Sequence, residues 1–190
     1  MRVIVGLGNP GEEYAHTRHN AGFETIDLLA QRWGVTYWKN TCGALVGEAK
    51  LRHTDGSVEK VILAKPQSYM NLSGGPVSKL CREYDETPEE LIVIHDEMDI
   101  APGTVRVKRG GGHAGHNGLR SIIDKLGTRD FLRVRVGTGH PPGRMKVVDF
   151  VLQVPRHEAK EDFDQAVERA SEAVESLIND GLERTQNKFN

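Results

Sequence analysis

Apolar residues along this chain fall into two periods that alternate from end to end. Arg2–Leu7 reads as a buried strand, and Asn20–Trp33 as a helix with Phe23, Ile26, Ala30 and Trp33 on one face and Gly34 closing it. Ala44–Leu51 and Val58–Ala64 flank a His53-Thr54-Asp55-Gly56-Ser57 turn, which predicts a hairpin ended by Lys65-Pro66. A helix is expected over about Asn71–Tyr84, a helical turn at Thr87–Glu90, and a central strand at Leu91–Ile94. Thr104–Arg109 alternates like a strand with one exposed face. The glycine-rich stretch Gly110–Gly118 then leads into a helix with Leu119, Ile122, Ile123 and Leu126 on one stripe, ended by Gly127. Phe131–Val136 predicts another strand, Gly137–Arg144 a loop, and Val147–Val154 an apolar stretch. A last helix carries Phe163, Ala166, Val167, Ala170, Val174 and Leu177. Strands alternating with helices imply an α/β fold: a single domain, residues 1–190, with a mixed twisted sheet and helices packed on its faces.

Length adds that one domain suffices, because 190 residues can bury a sizeable core. No apolar run approaches the roughly 18 residues of a membrane span, and Val3-Ile4-Val5 is too short for a signal peptide, so a cytoplasmic protein is expected. Cys42 and Cys81 lack C-x-x-C or zinc spacing and read as free thiols.

The net charge of −2 hides an uneven distribution. Residues 1–100 carry 10 Lys/Arg against 15 Asp/Glu, residues 101–146 carry 10 against 2, and residues 147–190 carry 5 against 10. Such a basic island is the footprint of a polyanion partner, although a solvated face gives the same count.

Gly6-Leu7-Gly8-Asn9-Pro10-Gly11 satisfies G-x-G-x-x-G after a strand. A dinucleotide site also needs a helix opening on those glycines and an acidic residue about 20 positions on. Here Glu12–His19 intervenes and Val35–Trp38 offers no carboxylate. Asn20, Asn71 and Asn117 each precede a helical pattern and fit as N-caps. Asn9, Asp96 and Asn117 fall just beyond predicted strands, where open α/β sheets place their sites. His95-Asp96-Glu97 and His113-Ala114-Gly115-His116 lack metal-ligand spacing, and no G-x-S-x-G or catalytic cysteine context is present. A His19–Asp96 pair remains, in which the carboxylate fixes the imidazole tautomer for base catalysis.

Five motifs carry a resemblance: Val5–Gly11, Tyr14–Gly22 (YAHTRHNAG), Lys65–Gly74 (KPQSYMNLSG), His95-Asp96-Glu97 and Gly110–Gly118 (GGGHAGHNG). In order and spacing, over the whole chain, they resemble the bacterial-type peptidyl-tRNA hydrolase family. The resemblance implies His19 as catalytic base, Asp96 as its hydrogen-bond partner, and Asn9, Asn71 and Asn117 as holders of water and of the peptidyl-tRNA end. It further implies a substrate-binding role for Tyr14, Tyr69, Met70 and His116, and a tRNA-facing surface made of the Leu119–Leu126 helix and the basic island. Lys108, Arg109, Arg133 and Arg144 are the expected phosphate contacts. Ser68 stands where threonine is commoner.

The activity so implied is hydrolysis of the ester between a peptide, or an N-blocked amino acid, and the terminal ribose of tRNA, recycling tRNA from peptidyl-tRNA that leaves the ribosome early. A monomer without metal or other cofactor is expected. Two other readings stay open here: a non-catalytic RNA-binding relative of the same fold, and a metal- or nucleotide-dependent enzyme on the same scaffold.

Overall fold

Alternation along the first strand sets the layering of the molecule. In the computed structural model, which describes residues 1–190, β1 (Arg2–Gly6) turns Ile4 to one side of a sheet and Val3 and Val5 to the other, all fully buried. Strands covered on both faces read as continuous apolar runs, which is what Val3–Val5 and Leu91–Ile94 are. β1 pairs in parallel with β4 (Val58–Pro66) and with β5 (Ile92–Glu97), and β5 in parallel with β7 (Leu132–Gly137). Antiparallel pairs finish both edges: β2 (Lys39–Thr41) on β3 (Ala44–Arg52), β3 on β4, and β6 (Val105–Arg109) on β7. The order is β2-β3-β4-β1-β5-β7-β6.

One face is covered by α1 (Ala21–Arg32), α5 (Glu158–Asp180) and α6 (Leu182–Phe189), which bury Ile26, Leu29, Val174 and Leu177 over Ile4, Ile92 and Val134. The other is covered by α2 (Gly74–Glu83) and α3 (Asn117–Leu126), with Val77, Leu80, Leu119 and Ile122 over Val5, Ile62 and Val93. A five-residue helix, α4 (Val147–Val151), lies apart from both layers. No helix is long and apolar enough to cross a membrane.

After β1 the chain reaches β4 on one side and later β5 on the other, so strand order reverses between β1 and β5. Such a switch point opens a crevice beyond the strand C-termini. α1 descends onto it at van der Waals closeness: a Cβ on Gly22 would overlap the Leu7 backbone, and one on Gly6 would overlap the Gly22 carbonyl. That contact seats the residues just before α1 directly on the crevice.

The predicted elements are present, with informative departures. β2 has no apolar side chain and exists through backbone pairing to β3. The helix expected from Asn71 begins as a 3-10 turn at Met70–Leu72 and becomes α-helical at Gly74. Val147–Val154 contains α4, and the C-terminal helix is two, broken at Gly181 (φ 85°). None of the three asparagines caps a helix: Asn20 and Ser73 make no capping bond ahead of α1 and α2, and Asn117 is already inside α3.

At the β6 edge, the outward backbone of Val107 is not left open. Its N–H donates to Asn190 Oδ1 at 2.8 Å, and its carbonyl accepts from Asn190 Nδ2 at 2.9 Å and Gln186 Nε2 at 3.3 Å.

Candidate active site

His19 sits in a 3-10 turn (Arg18–Asn20) that a pair of asparagines ties to the end of β1. Asn20 Oδ1 accepts from the Asn9 N–H at 2.8 Å and Asn20 Nδ2 donates to the Asn9 carbonyl at 3.0 Å. Asn20 thus bridges loops rather than capping α1. Asp96, near the end of β5, is 4 % exposed and meets the imidazole: His19 Nδ1 lies 2.9 Å from Oδ2 and 3.1 Å from Oδ1. With its proton on Nδ1 facing the carboxylate, His19 keeps the Nε2 lone pair free.

The same carboxylate holds a second ring. His116 Nε2 is 2.8 Å from Asp96 Oδ1, while its Nδ1 accepts from the N–H groups of Gly118 (3.1 Å) and Leu119 (3.3 Å). An accepting Nδ1 carries no proton, so the proton is on Nε2 and points at Asp96. His116 is therefore the N-cap of α3, the place expected for Asn117, and one imidazole fixes both the helix start and the carboxylate. His95, on the opposite face of β5, donates Nδ1–H to the Asp96 carbonyl at 2.7 Å.

Electrostatics follow from burial and these partners. Burial pulls the His19 pKa down, but the Asp96 charge and hydrogen bond outweigh it and leave it above 6.5. Burial raises the Asp96 pKa, and the two imidazoles more than reverse that, holding it well below the usual carboxylate range. Enclosure, with the neighbouring His116, drives His95 down to about 3, so that ring is neutral.

Asn9 is oriented as well. Its Oδ1 accepts the Met70 N–H at 2.7 Å, which fixes the amide so that Nδ2 is the donor left over. Asn9, His19, Met70, Asn71, Asp96, His116 and Asn117 line one open cleft of about 670 Å³. Its opposite wall is apolar, made of Met98, Val147, Val148, Val151 and Leu152. That wall was not foreseen, although Val147, Val148, Val151 and Leu152 have the spacing of one helical face.

Tyr14 and Tyr69 do not line the cleft; they meet edge to face outside it, with centroids 6.3 Å apart. Among the basic residues, Arg109 and Arg144 are exposed and Lys108 is half-buried. Arg133 corrects the expectation of an exposed phosphate contact: it is 1 % exposed, stacks on Phe131, and donates to the carbonyls of Gly111 (2.7 Å), Gly112 (2.6 Å) and Arg129 (3.1 Å). β6 runs antiparallel to β7, so Asn117 does not follow a strand that ends at the cleft. The Gly110–His116 stretch must instead turn back along the sheet, with Gly110, Gly111, Ala114 and Gly115 at positive φ, and Arg133 clamps it there. Arg106 and Arg135 pair across the same face, with Arg135 donating to Glu97 Oε1 at 3.1 Å.

The donor atoms of His19, Asp96 and His116 lie within 4.8 Å of one another, as a metal set does. Coordination by His116 Nε2 requires moving its proton to Nδ1, which the two α3 amides already occupy. The residues fit a proton-ordered triad better than a ligand set.

An α/β fold with a carboxylate-oriented histidine at its switch point defines a site for acid–base chemistry, and the comparisons with known proteins supply the class. The sequence profile of the family described as peptidyl-tRNA hydrolase matches residues 3–190. Relatives named peptidyl-tRNA hydrolase include one from Frankia alni, 52 % identical over 98 % of this chain and 92 % of its own length. Another, from Kineococcus radiotolerans, is 48 % identical over 98 % and 96 %. The crystal structure of peptidyl-tRNA hydrolase from Acinetobacter baumannii superposes with a TM-score of 0.89 at 38 % identity, covering 99 % of this chain and 93 % of that one. The chain is a hydrolase, and it belongs to the peptidyl-tRNA hydrolase family.

Proposed function

We propose that this enzyme hydrolyses the ester joining a peptide, or an N-blocked amino acid, to the terminal ribose of tRNA, with His19 as general base. The observation that carries the reading is the orientation of His19: Nδ1 is bound to an ionised, buried Asp96, and Nε2 is free at the cleft.

In this mechanism His19 Nε2 takes a proton from water as the water attacks the ester carbonyl. Negative charge gathers on the carbonyl oxygen, and Asn9 Nδ2, the donor end of an amide whose Oδ1 is held by the Met70 N–H, stabilises it. Collapse of the tetrahedral intermediate expels the ribose oxygen, which receives the proton back from the His19 imidazolium. The Asp96 charge supports that imidazolium throughout. General-base catalysis contributes about 10²–10⁴-fold and one oxyanion donor about 10²–10³-fold, without a covalent intermediate or a metal. Asn71 and Asn117, at the rim, hold the peptidyl-tRNA end, and Met70 and His116 complete that wall. Tyr14 and Tyr69 shape the approach to the cleft from outside.

The tRNA body lies along the basic segment, held through phosphates by Lys108, Arg109 and Arg144, while Arg133 supports the glycine stretch beside them. Phosphate contacts suit a substrate shared by many tRNAs because they carry no base information. The enzyme acts as a cytoplasmic monomer. The direct test is release of free tRNA from N-acetylaminoacyl-tRNA with and without EDTA. Chelator-resistant release by the wild type, lost in His19→Ala, is expected; a chelator-sensitive reaction overturns the metal-free mechanism. Binding of tRNA with no release marks a non-catalytic RNA-binding protein instead.

A further inference from the structure

Arg18, beside the catalytic histidine, is an unusual place for a guanidinium. It is 8 % exposed and has no carboxylate partner. Its side-chain hydrogen bonds and its aromatic contact run to α4 and the residues after it. Nη1 donates to the Phe150 carbonyl at 3.2 Å and to Gln153 Oε1 at 2.8 Å, Cζ stands 4.1 Å above the Phe150 ring, and the Arg18 N–H donates to the Gln153 carbonyl at 3.3 Å. A buried cation is tolerable where it meets the end of a helix, whose last carbonyls lack partners, and an aromatic face. α4 supplies both. The main packing of α4 within the fold is, in turn, against the Arg18–Asn20 turn.

The other side of α4 is the apolar cleft wall. Val147, Val148 and Leu152 are 48 %, 55 % and 36 % exposed, a row of apolar side chains that only a bound group would cover. A single short helix therefore has its apolar face to the substrate space and its carbonyl end on the residue preceding His19.

We infer that Arg18 is a positioning residue that couples the apolar wall of α4 to the turn carrying His19, so that apolar peptidyl groups seated on α4 set the imidazole for attack. The inference rests on the proposed reaction and adds to it a substrate preference: bulky apolar residues next to the ester are hydrolysed faster than small ones. A guanidinium suits the task because its planar fork can bond a carbonyl and an amide oxygen while stacking on a ring, which an ammonium cannot do.

The test compares N-acetylglycyl-tRNA with N-acetylphenylalanyl-tRNA under single-turnover conditions, for wild type, Arg18→Met, Arg18→Lys and Gln153→Ala. Wild type is expected to favour the phenylalanyl substrate. Arg18→Met should compress that ratio by about tenfold, in the rate of the chemical step, Arg18→Lys should restore part of it, and Gln153→Ala should compress it less. A residue that merely stabilises the fold lowers both rates alike, so an unchanged ratio in Arg18→Met overturns the coupling. If Arg18→Met does not fold, Gln153→Ala and Phe150→Leu decide, and an unchanged ratio in both overturns it equally. Failure of the wild type to release tRNA from either substrate is a different result, and it sinks the proposed reaction itself.

Discussion

His116 binds Asp96 through Nε2 at 2.8 Å while its Nδ1 closes the first turn of α3, so a single ring joins the carboxylate to a helix terminus. Removing it leaves two α3 amides without their acceptor and takes from the buried carboxylate the shorter of the two bonds at Oδ1. His116→Ala is expected to lower stability by about 1–3 kcal/mol, combining a lost cap with a lost hydrogen bond to a charge. His116→Asn should recover the capping share without restoring catalysis. Urea titration and single-turnover rates on the same preparations check this; an Asn variant no more stable than Ala refutes the capping role.

The His19 pKa is raised, so the unprotonated base is lost at a higher pH than for a free imidazole. The rate of the chemical step should rise with pH through one inflection lying above 6.5. His19→Ala should cost at least about 10²-fold without unfolding the protein. An inflection below 6.5 in the wild type contradicts the assigned pairing.

Asp96→Asn tests the tautomer. The carboxylate accepts from two rings, whereas an amide has one oxygen; once His116 Nε2–H holds it, the amide N–H₂ faces His19 Nδ1 and drives the proton to Nε2. The variant should be severely slowed at every pH, with no recovery at high pH. NMR of the imidazole nitrogens in wild type and variant reads the tautomer directly, and an unchanged His19 tautomer defeats the explanation.

His95 makes the fold acid-sensitive. Its folded-state pKa of about 3 lies below the ordinary 6.5, so the unfolded chain takes up a proton that the native state refuses. This contribution to stability is complete above pH 6.5 and is lost as pH falls toward about 3, at up to about 1.4 kcal/mol per pH unit. His19 acts in the opposite sense: its raised pKa contributes stability below 6.5 that fades as pH rises through the folded value. His95→Gln should flatten the acid limb of a denaturation series; a slope equal to wild type removes His95 from the account.

The basic residues should separate into two groups. Neutralising Lys108, Arg109 and Arg144 should raise KM alike for several tRNAs and flatten its salt dependence, by about one log–log unit per lost duplex phosphate contact. Arg133→Met should instead lower thermal stability, because it removes three hydrogen bonds that hold the Gly110–His116 stretch and the Arg129 carbonyl. Should the triple variant keep both its KM and its salt slope, those residues are a solvated face.

Most of the architecture was legible because burial leaves a periodic trace. Val3, Ile4 and Val5, and the Leu119, Ile122, Ile123, Leu126 stripe, can be covered only by a two-faced sheet and an amphipathic helix. β2 was not legible, since Lys39-Asn40-Thr41 is held by backbone bonds that leave no side-chain signature. Nor was the role of α4: Val147, Val148, Val151 and Leu152 have the spacing of one helical face, but that spacing does not distinguish a cleft wall from a stripe packed on the core. At the site, the residues that the cleft brings together, Asn9, His19, Met70, Asn71, Asp96, His116 and Asn117, were singled out in the sequence, but their local hydrogen bonds were not. Asn20, Asn71 and Asn117 have the residue type for caps, and the cap of α3 is instead a histidine one position earlier, a residue seldom used there. The burial of Arg133 could not be read from charge counts, because alternation in β6 and β7 sends Lys108, Arg133 and Arg135 to one face without saying which of them the glycine stretch covers.

The amide of Asn190 lies against Val107 as the next strand's peptide group would, donating and accepting at the central outward-facing position of β6. The sheet is terminated by a mimic of its own continuation. A strand seeking to extend the sheet at β6 must first strip that side chain and α6 away, so the strand richest in arginine and lysine has its backbone edge occupied while its side chains are left to the faces of the sheet.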